Sequence, residues 1–267
     1  MLGDIVGKPG RRVVQQQLPW LRREYQPDYV VANAENVAGG SGITQQLYHK
    51  LRAYGIDGVT LGDHAFRQKD SYPAFDTAME LIRPANLPDA ALGRGWMRLE
   101  SAAGKPPLYV VTLLGRLFMN GVQADDPFAA VERILAGFPK GAAVLVEIHA
   151  EATSEKVGMG HHLDGRAAAV VGTHTHIPTA DAKVLPGGTA YMTDLGMCGP
   201  YDSILGRRKE RVLQFMTTAM PAVFDVAEED VRMCGVLIEL EGARAVRCER
   251  IERAAEMGVP PFVGEDT

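Results

Sequence analysis

The chain has 267 residues, of which 46% are hydrophobic and 23% charged. That balance excludes disordered and low-complexity classes, and the length can bury a core without disulfide staples. With 28 Lys and Arg against 33 Asp and Glu, the net charge of −5 argues against broad duplex nucleic-acid binding by a basic face. A small phosphorylated ligand remains compatible, because a metal can supply local positive charge.

No apolar run reaches the ~18 residues of a membrane span, and the first residues leave no room for a signal peptide. The expectation is a soluble cytoplasmic protein whose Cys198, Cys234 and Cys248 are reduced thiols.

Along the chain, Asp4 stands where the end of a first strand would place it, yet only three residues precede it. Either that strand is very short or the chain start is truncated. Residues 28–32 and 57–61 read as strands. Between them a helix begins at Thr44 as N-cap, puts Leu47 and Leu51 on one face and stops at Gly55. A strand at 108–113 is followed by a helix with Asp126 as cap and Pro127 in its first turn, running toward Leu135. Further strands are expected at 143–148, 167–171 and 189–193. Several are near-continuous apolar runs, as in Val144-Leu145-Val146, which suits strands covered on both faces. Residues 236–240 and 245–251, joined by Glu241-Gly242-Ala243, read as an antiparallel hairpin closing one edge. The alternation predicts an α/β fold with a mixed sheet or two stacked sheets. No repeat or linker divides the chain, so 1–267 is expected to be one domain.

The chemistry-bearing residues fall at the strand ends. Asp4 lies in the first glycine-flanked segment, Asn33, Glu35 and Asn36 follow residue 32, and Asp63 and His64 follow residue 61. His149 ends 143–148, and His174 with His176 follows 167–171. Parallel strands share one carboxyl edge, so these donors converge although none are close in sequence. Imidazoles, carboxylates and amide oxygens without thiolates favour manganese, iron or zinc over a soft metal. The donor number exceeds the need of one ion, and a central Glu35 could bridge two, the arrangement used for displacement at phosphorus. Each piece alone has a plainer explanation: Asp4 as a turn residue, Asn33-Ala34-Glu35-Asn36 as turn chemistry, His149 as a core histidine. Their joint placement is what points to a site. His49, His161 and His162 read as solvated or structural.

The segments Gly3-Asp4-Ile5-Val6-Gly7, Asn33-Ala34-Glu35-Asn36, Gly62-Asp63-His64, Arg83-Pro84-Ala85-Asn86, His149-Ala150-Glu151-Ala152-Thr153-Ser154-Glu155-Lys156, Gly172-Thr173-His174-Thr175-His176 and Thr193-Asp194-Leu195-Gly196, in that order, resemble the YmdB-type bacterial metallophosphoesterases of the calcineurin-like superfamily. The resemblance implies a four-layer α/β/β/α sandwich with a dinuclear metal centre, iron or manganese foremost, zinc or magnesium otherwise. It also implies 2′,3′-cyclic-nucleotide 2′-phosphodiesterase activity and a homo-oligomer, dimer or tetramer. By position, Asp4, Glu35, Asn36 and His176 would hold one metal, and Glu35 would bridge to a second held with Asp63, His149 and His174. His64 would donate the proton to the leaving group after attack by a metal-bound hydroxide.

Two departures stand out. Asp63 replaces the family's usual asparagine, adding negative charge, and the shortened first strand leaves the hold on Asp4 in question. A phosphomonoesterase or nuclease on the same centre, or a weakly active metal-dependent regulatory protein, are the rival functions.

Overall fold

The computed structural model describes residues 1–101, 104–119, 121 and 123–256. In chain order its elements are β1 (Asp4–Ile5), α1 (Gly7–Tyr25), β2 (Val31–Asn33), α2 (Gln45–Tyr54), β3 (Gly58–Thr60), α3 (Tyr72–Thr77), β4 (Leu81–Ile82), β5 (Trp96–Leu99) and β6 (Leu108–Leu114). There follow α4 (Pro127–Leu135), β7 (Ala143–His149), α5 (Thr153–His162), β8 (Ala169–Thr173), β9 (Lys183–Val184), β10 (Ala190–Met192), β11 (Met197–Pro200), α6 (Lys209–Thr218), β12 (Val231–Glu241) and β13 (Arg244–Ala254).

A six-stranded sheet runs β5-β6-β7-β8-β10-β9. Its centre is parallel, with Leu114 opposite His149 and His149 opposite Thr173. The strands β2-β3-β4 and β1-β11-β12-β13 form a second layer. Leu2 knits its two halves together, bridging Ala32 on one side and Gly235 on the other.

Three apolar clusters define four layers. Val13, Val14 and Leu18 of α1, Leu51 of α2 and Phe75 of α3 pack on Ala32, Val59, Leu81 and Met233. Ala130 and Val131 of α4 with Met159 of α5 cover Val111, Val146, Ile148 and Val170. Between the sheets lie Val31, Met97, Val110, Leu145, Val171, Met192 and Val236. The arrangement is the expected α/β/β/α sandwich, and it explains why 108–114 and 143–149 read as apolar on both faces: each of those faces meets a different core.

Local signals act as the sequence predicts for α2 and α4. The Thr44 hydroxyl accepts from the Leu47 amide at 3.2 Å, and Gly55 closes the helix in the left-handed region. The Asp126 carboxylate accepts from the Phe128 amide at 2.8 Å. The support of Asp4 is visible in the structure. Met1–Ile5 is strand-like although short: the Leu2 amide donates to Val31 O at 2.8 Å and Asp4–Ile5 pair with Met197–Cys198. Asp4 is therefore held from both sides, and the doubt over its support is corrected. β2 starts only at Val31 rather than at residue 28, and a cavity of about 340 Å³ opens among Val30, Leu108, Leu145 and Ile238.

Candidate metal centre

Five elements deliver the donors to one place. Asp4 lies in β1, Glu35 and Asn36 follow β2, Asp63 and His64 follow β3, His149 ends β7, and His174 and His176 follow β8. The two sheets present these carboxyl ends to each other, so the site forms where the layers meet. The cavity lined by Val30, Leu108 and Leu145 is at the other end of the strands and holds none of these residues.

Glu35, Asp63, His149 and His174 each offer an atom within 4.8 Å of all the others. His149 Nε2 lies 3.1 Å from Asp63 Oδ1, 3.3 Å from Glu35 Oε1 and 3.2 Å from His174 Nδ1. Around Glu35 sits a second group: Asn36 Nδ2 is 3.1 Å from Glu35 Oε1 and 3.1 Å from His176 Nε2. Asp4 Oδ1 is 3.9 Å from His176 Nε2 and 4.0 Å from His149 Nδ1. All the expected donors thus share one pocket. The Asn36 amide oxygen is turned toward His64, 3.1 Å from its Nδ1, so as placed it is the amide nitrogen that faces His176.

Each of the three inner imidazoles has one nitrogen engaged away from the cluster and one facing it. His149 Nδ1 is 2.9 Å from Thr173 Oγ1, whose hydroxyl donates to Glu147 Oε1 at 2.6 Å. This series of contacts assigns a proton to Nδ1 and leaves Nε2 as the nitrogen turned to the cluster. His176 Nδ1 donates to Leu205 O at 3.1 Å, and His174 Nε2 lies 3.3 Å from Glu151 Oε2. Such outer partners fix the tautomer and orientation of metal-binding imidazoles. His174 and His176 take positive φ values of 98° and 65°, which residues with a Cβ adopt only when the surroundings impose it.

The electrostatics suit a cation. Burial pushes the Asp4 carboxyl up to about 7, and its Oδ1 is buried without a hydrogen-bond partner. Burial also opposes charge on Glu35 and Asp63, yet both end well below the carboxylate range because His149 lies against them. Burial alone would lower His149, but Glu35 and Asp63 hold its pKa well above the imidazole value. A proton on His149 therefore plays the part of a cation among three carboxylates. An orphaned carboxylate oxygen, inward-facing imidazole nitrogens and a four-residue donor group fit divalent metal, whose binding would release that proton.

His64 stands apart. It is partly exposed, its amide donates to Glu35 Oε2 at 3.0 Å, and its Nε2 is 3.5 Å from Asp63 Oδ2. Hydrogen bonding to Glu35, working against burial, raises its pKa. Reading by strand ends misses Glu147 and Thr173, which orient His149. A carboxylate inside the apolar run Val144-Leu145-Val146-Glu147-Ile148 is the available signal, since an unpaired buried charge is costly. His49 and His161 lie exposed, outside the site, and His162 pairs with Glu132 at 2.8 Å.

A family model described as YmdB-like protein matches residues 1–253. A Bacillus subtilis (strain 168) protein named 2′,3′-cyclic-nucleotide 2′-phosphodiesterase is 43% identical over 253 residues, covering 94% of each chain. A Mycoplasma pneumoniae putative phosphatase/phosphodiesterase is 32% identical over 90% of this chain and 86% of its own. Among solved structures, a hypothetical protein from Thermus thermophilus superimposes with a TM-score of 0.89 at 42% identity, covering 96% of this chain and 98% of that one. A novel phosphatase from Mycoplasma pneumoniae does so with a TM-score of 0.89 at 31% identity, covering 95% and 92%. Among the described residues, no helix is long and apolar enough to cross a membrane.

Proposed function

The chain belongs to the YmdB-like protein family, and from that premise we propose that it is a two-metal phosphodiesterase that opens 2′,3′-cyclic nucleotides to 3′-nucleotides. Its class is that of a hydrolase acting on phosphodiesters. The observation that carries the finer reading is the shared position of Glu35, whose Oε1 lies 3.1 Å from Asn36 on one side and 3.3 Å from His149 on the other. A carboxylate so placed can serve two ions at once. Asp4, Glu35, Asn36 and His176 would hold one, with the Asn36 amide turned to present its oxygen. Glu35, Asp63, His149 and His174 would hold the other. Iron or manganese suits this mixed nitrogen and oxygen set. When bound, the two ions supply a water of lowered pKa and positive charge for the phosphate oxygens.

The chain's own groups then do the rest. Thr173, Glu151 and Leu205 keep the three imidazoles turned inward, so that little reorganisation accompanies the reaction. Water adds at phosphorus, the bond to the 2′-oxygen breaks, and His64 gives that oxygen a proton. Partial exposure at the rim and a raised pKa suit His64 to that task.

The test is hydrolysis of 2′,3′-cyclic AMP by protein stripped and reloaded with manganese, with a chelator control and products resolved. Metal-dependent 3′-AMP is the expected product. Release of phosphate from monoesters, with the cyclic diester untouched, would replace this reading with a phosphomonoesterase.

A further inference from the structure

The sequence segments around Lys156 and Asp194 belong to the family resemblance, yet neither residue enters the chemistry above. Lys156 is fully buried and Asp194 is 1% exposed. The Lys156 ammonium donates to Asp194 Oδ2 at 2.7 Å. That same oxygen accepts from the Thr175 amide at 3.1 Å, while Oδ1 accepts from the Gly196 amide at 2.8 Å.

Thr175 is the residue between His174 and His176, both of which sit at positive φ. Their turn is pinned by two buried carboxylates: Asp4 Oδ2 takes the His174 amide at 3.2 Å, and Asp194 takes the next amide along. The lysine stem runs beneath the strand that feeds this turn, since a Cβ on Gly172 would lie 2.8 Å from Lys156 Cδ. Lys156 sits in α5, which starts four residues after His149. One short stretch of chain therefore supplies an inner imidazole and the ammonium that secures the other two.

A buried ion pair is weak support for stability by itself, because desolvation offsets its attraction. What this pair does supply is a fixed acceptor for the Thr175 amide, between two residues whose positive φ L-residues avoid. We propose that Lys156 and Asp194 are positioning residues, which hold the His174-Thr175-His176 turn so that both imidazoles face the metal centre. This rests on the two-metal reading above.

The test uses full-length protein stripped of metal and titrated with manganese by calorimetry, alongside hydrogen exchange at the Thr175 amide. Asp194→Ala is expected to weaken metal binding by about 10–100-fold, the usual effect of losing an outer partner, and to speed exchange at Thr175. Lys156→Met combined with Asp194→Asn removes both charges but keeps an amide oxygen for Thr175, and is expected to recover most of the affinity. If Asp194→Ala does not fold, Lys156→Met/Asp194→Leu replaces it as the neutral pair lacking the acceptor. Wild-type affinity and wild-type protection in the variants lacking the acceptor would overturn the positioning role alone. A wild-type chain that binds no manganese would overturn the metal reading and this role with it, whereas metal binding without turnover of the cyclic nucleotide would leave this role standing.

Discussion

His64 Nδ1 lies 3.1 Å from Asn36 Oδ1 and equally 3.1 Å from Glu35 Oε1. Glu35 remains an acceptor at that nitrogen when Asn36 turns its oxygen to an ion, so Nδ1 keeps its proton and the one that His64 exchanges is on Nε2. His64→Ala is expected to bind metal as the wild type does and to lose about 10²–10⁴-fold in kcat, the range for a general acid. Unchanged turnover would remove His64 from the mechanism. The metal-free protein carries a second expectation. Hydrogen bonding to Glu35 raises the His64 pKa above 6.5, against the effect of burial. In chelator the His64 ring should therefore titrate above pH 6.5 by NMR, and a titration below it would contradict the contact with Glu35.

Asp63 presents Oδ1 to His149 Nε2 at 3.1 Å and to His174 Nδ1 at 3.4 Å, so its charge acts on the half of the site nearest both imidazoles. Asp63→Asn removes a full charge beside a dication, an attraction of about 2 kcal/mol at 4 Å even with the screening of bulk water. Manganese affinity should fall at least about tenfold. Because the centre becomes less negative, KM for a cyclic phosphodiester should fall in the same variant. Calorimetry and steady-state kinetics on one preparation separate the two effects. A KM that rises would show that Asp63 serves the substrate rather than opposing it.

The donors are legible in the sequence because each stands at a strand end, and strands such as 143–148 announce themselves by apolar residues on both faces. The helix α1 is not legible. Pro9, Gly10 and Pro19 all signal breaks, yet Pro9 falls in the first turn, where its missing amide costs nothing, and Val13, Val14, Leu18 and Leu21 offset the rest by burial. The start of β2 reads too early for a related reason. The Val30 amide goes to the Asp57 carboxylate at 2.7 Å, and ladder pairing begins only where Leu2 provides a neighbour. Outer partners such as Leu205 O, Thr173 and Asp194 act through backbone geometry set by contacts 19–29 residues away, which spacing alone does not reveal.

Asp4 gives the metal-free protein a distinct pH dependence. Its pKa is about 7 in the folded chain against 3.8 ordinarily. A raised carboxyl pKa means that the folded state keeps its proton after the unfolded chain has lost one. The contribution is therefore fully present below about pH 4 and is lost as pH rises toward 7, amounting to about 4 kcal/mol. Asp4→Asn carries no such proton, so its metal-free melting temperature should exceed that of the wild type at pH 8 and vary less between pH 4 and 7. Adding manganese should reverse the order, because only the wild-type carboxylate gains a ligand. Thermal melts in chelator and in metal check both statements; parallel pH curves for the two proteins would refute the assignment.

Gly62 stands in the segment Gly62-Asp63-His64, and the site leaves it no alternative. A Cβ there would lie 2.3 Å from Glu35 Oε2 and 2.3 Å from His149 Cδ2 and Nε2. Neither neighbour can retreat freely: Glu35 is 1% exposed and His149 is fully buried, with its other nitrogen held by Thr173 at 2.9 Å. Gly62→Ala should therefore act on the metal centre more than on the fold. The overpacked methyl is expected to cost about 1–3 kcal/mol in the metal-free melt. Manganese affinity should fall further than that, because the methyl displaces the one carboxylate common to both proposed ion positions and an imidazole of the second. Calorimetric titration beside a melt in chelator distinguishes the two losses. Equal losses in both would show that Glu35 and His149 move aside together, leaving the donor geometry intact.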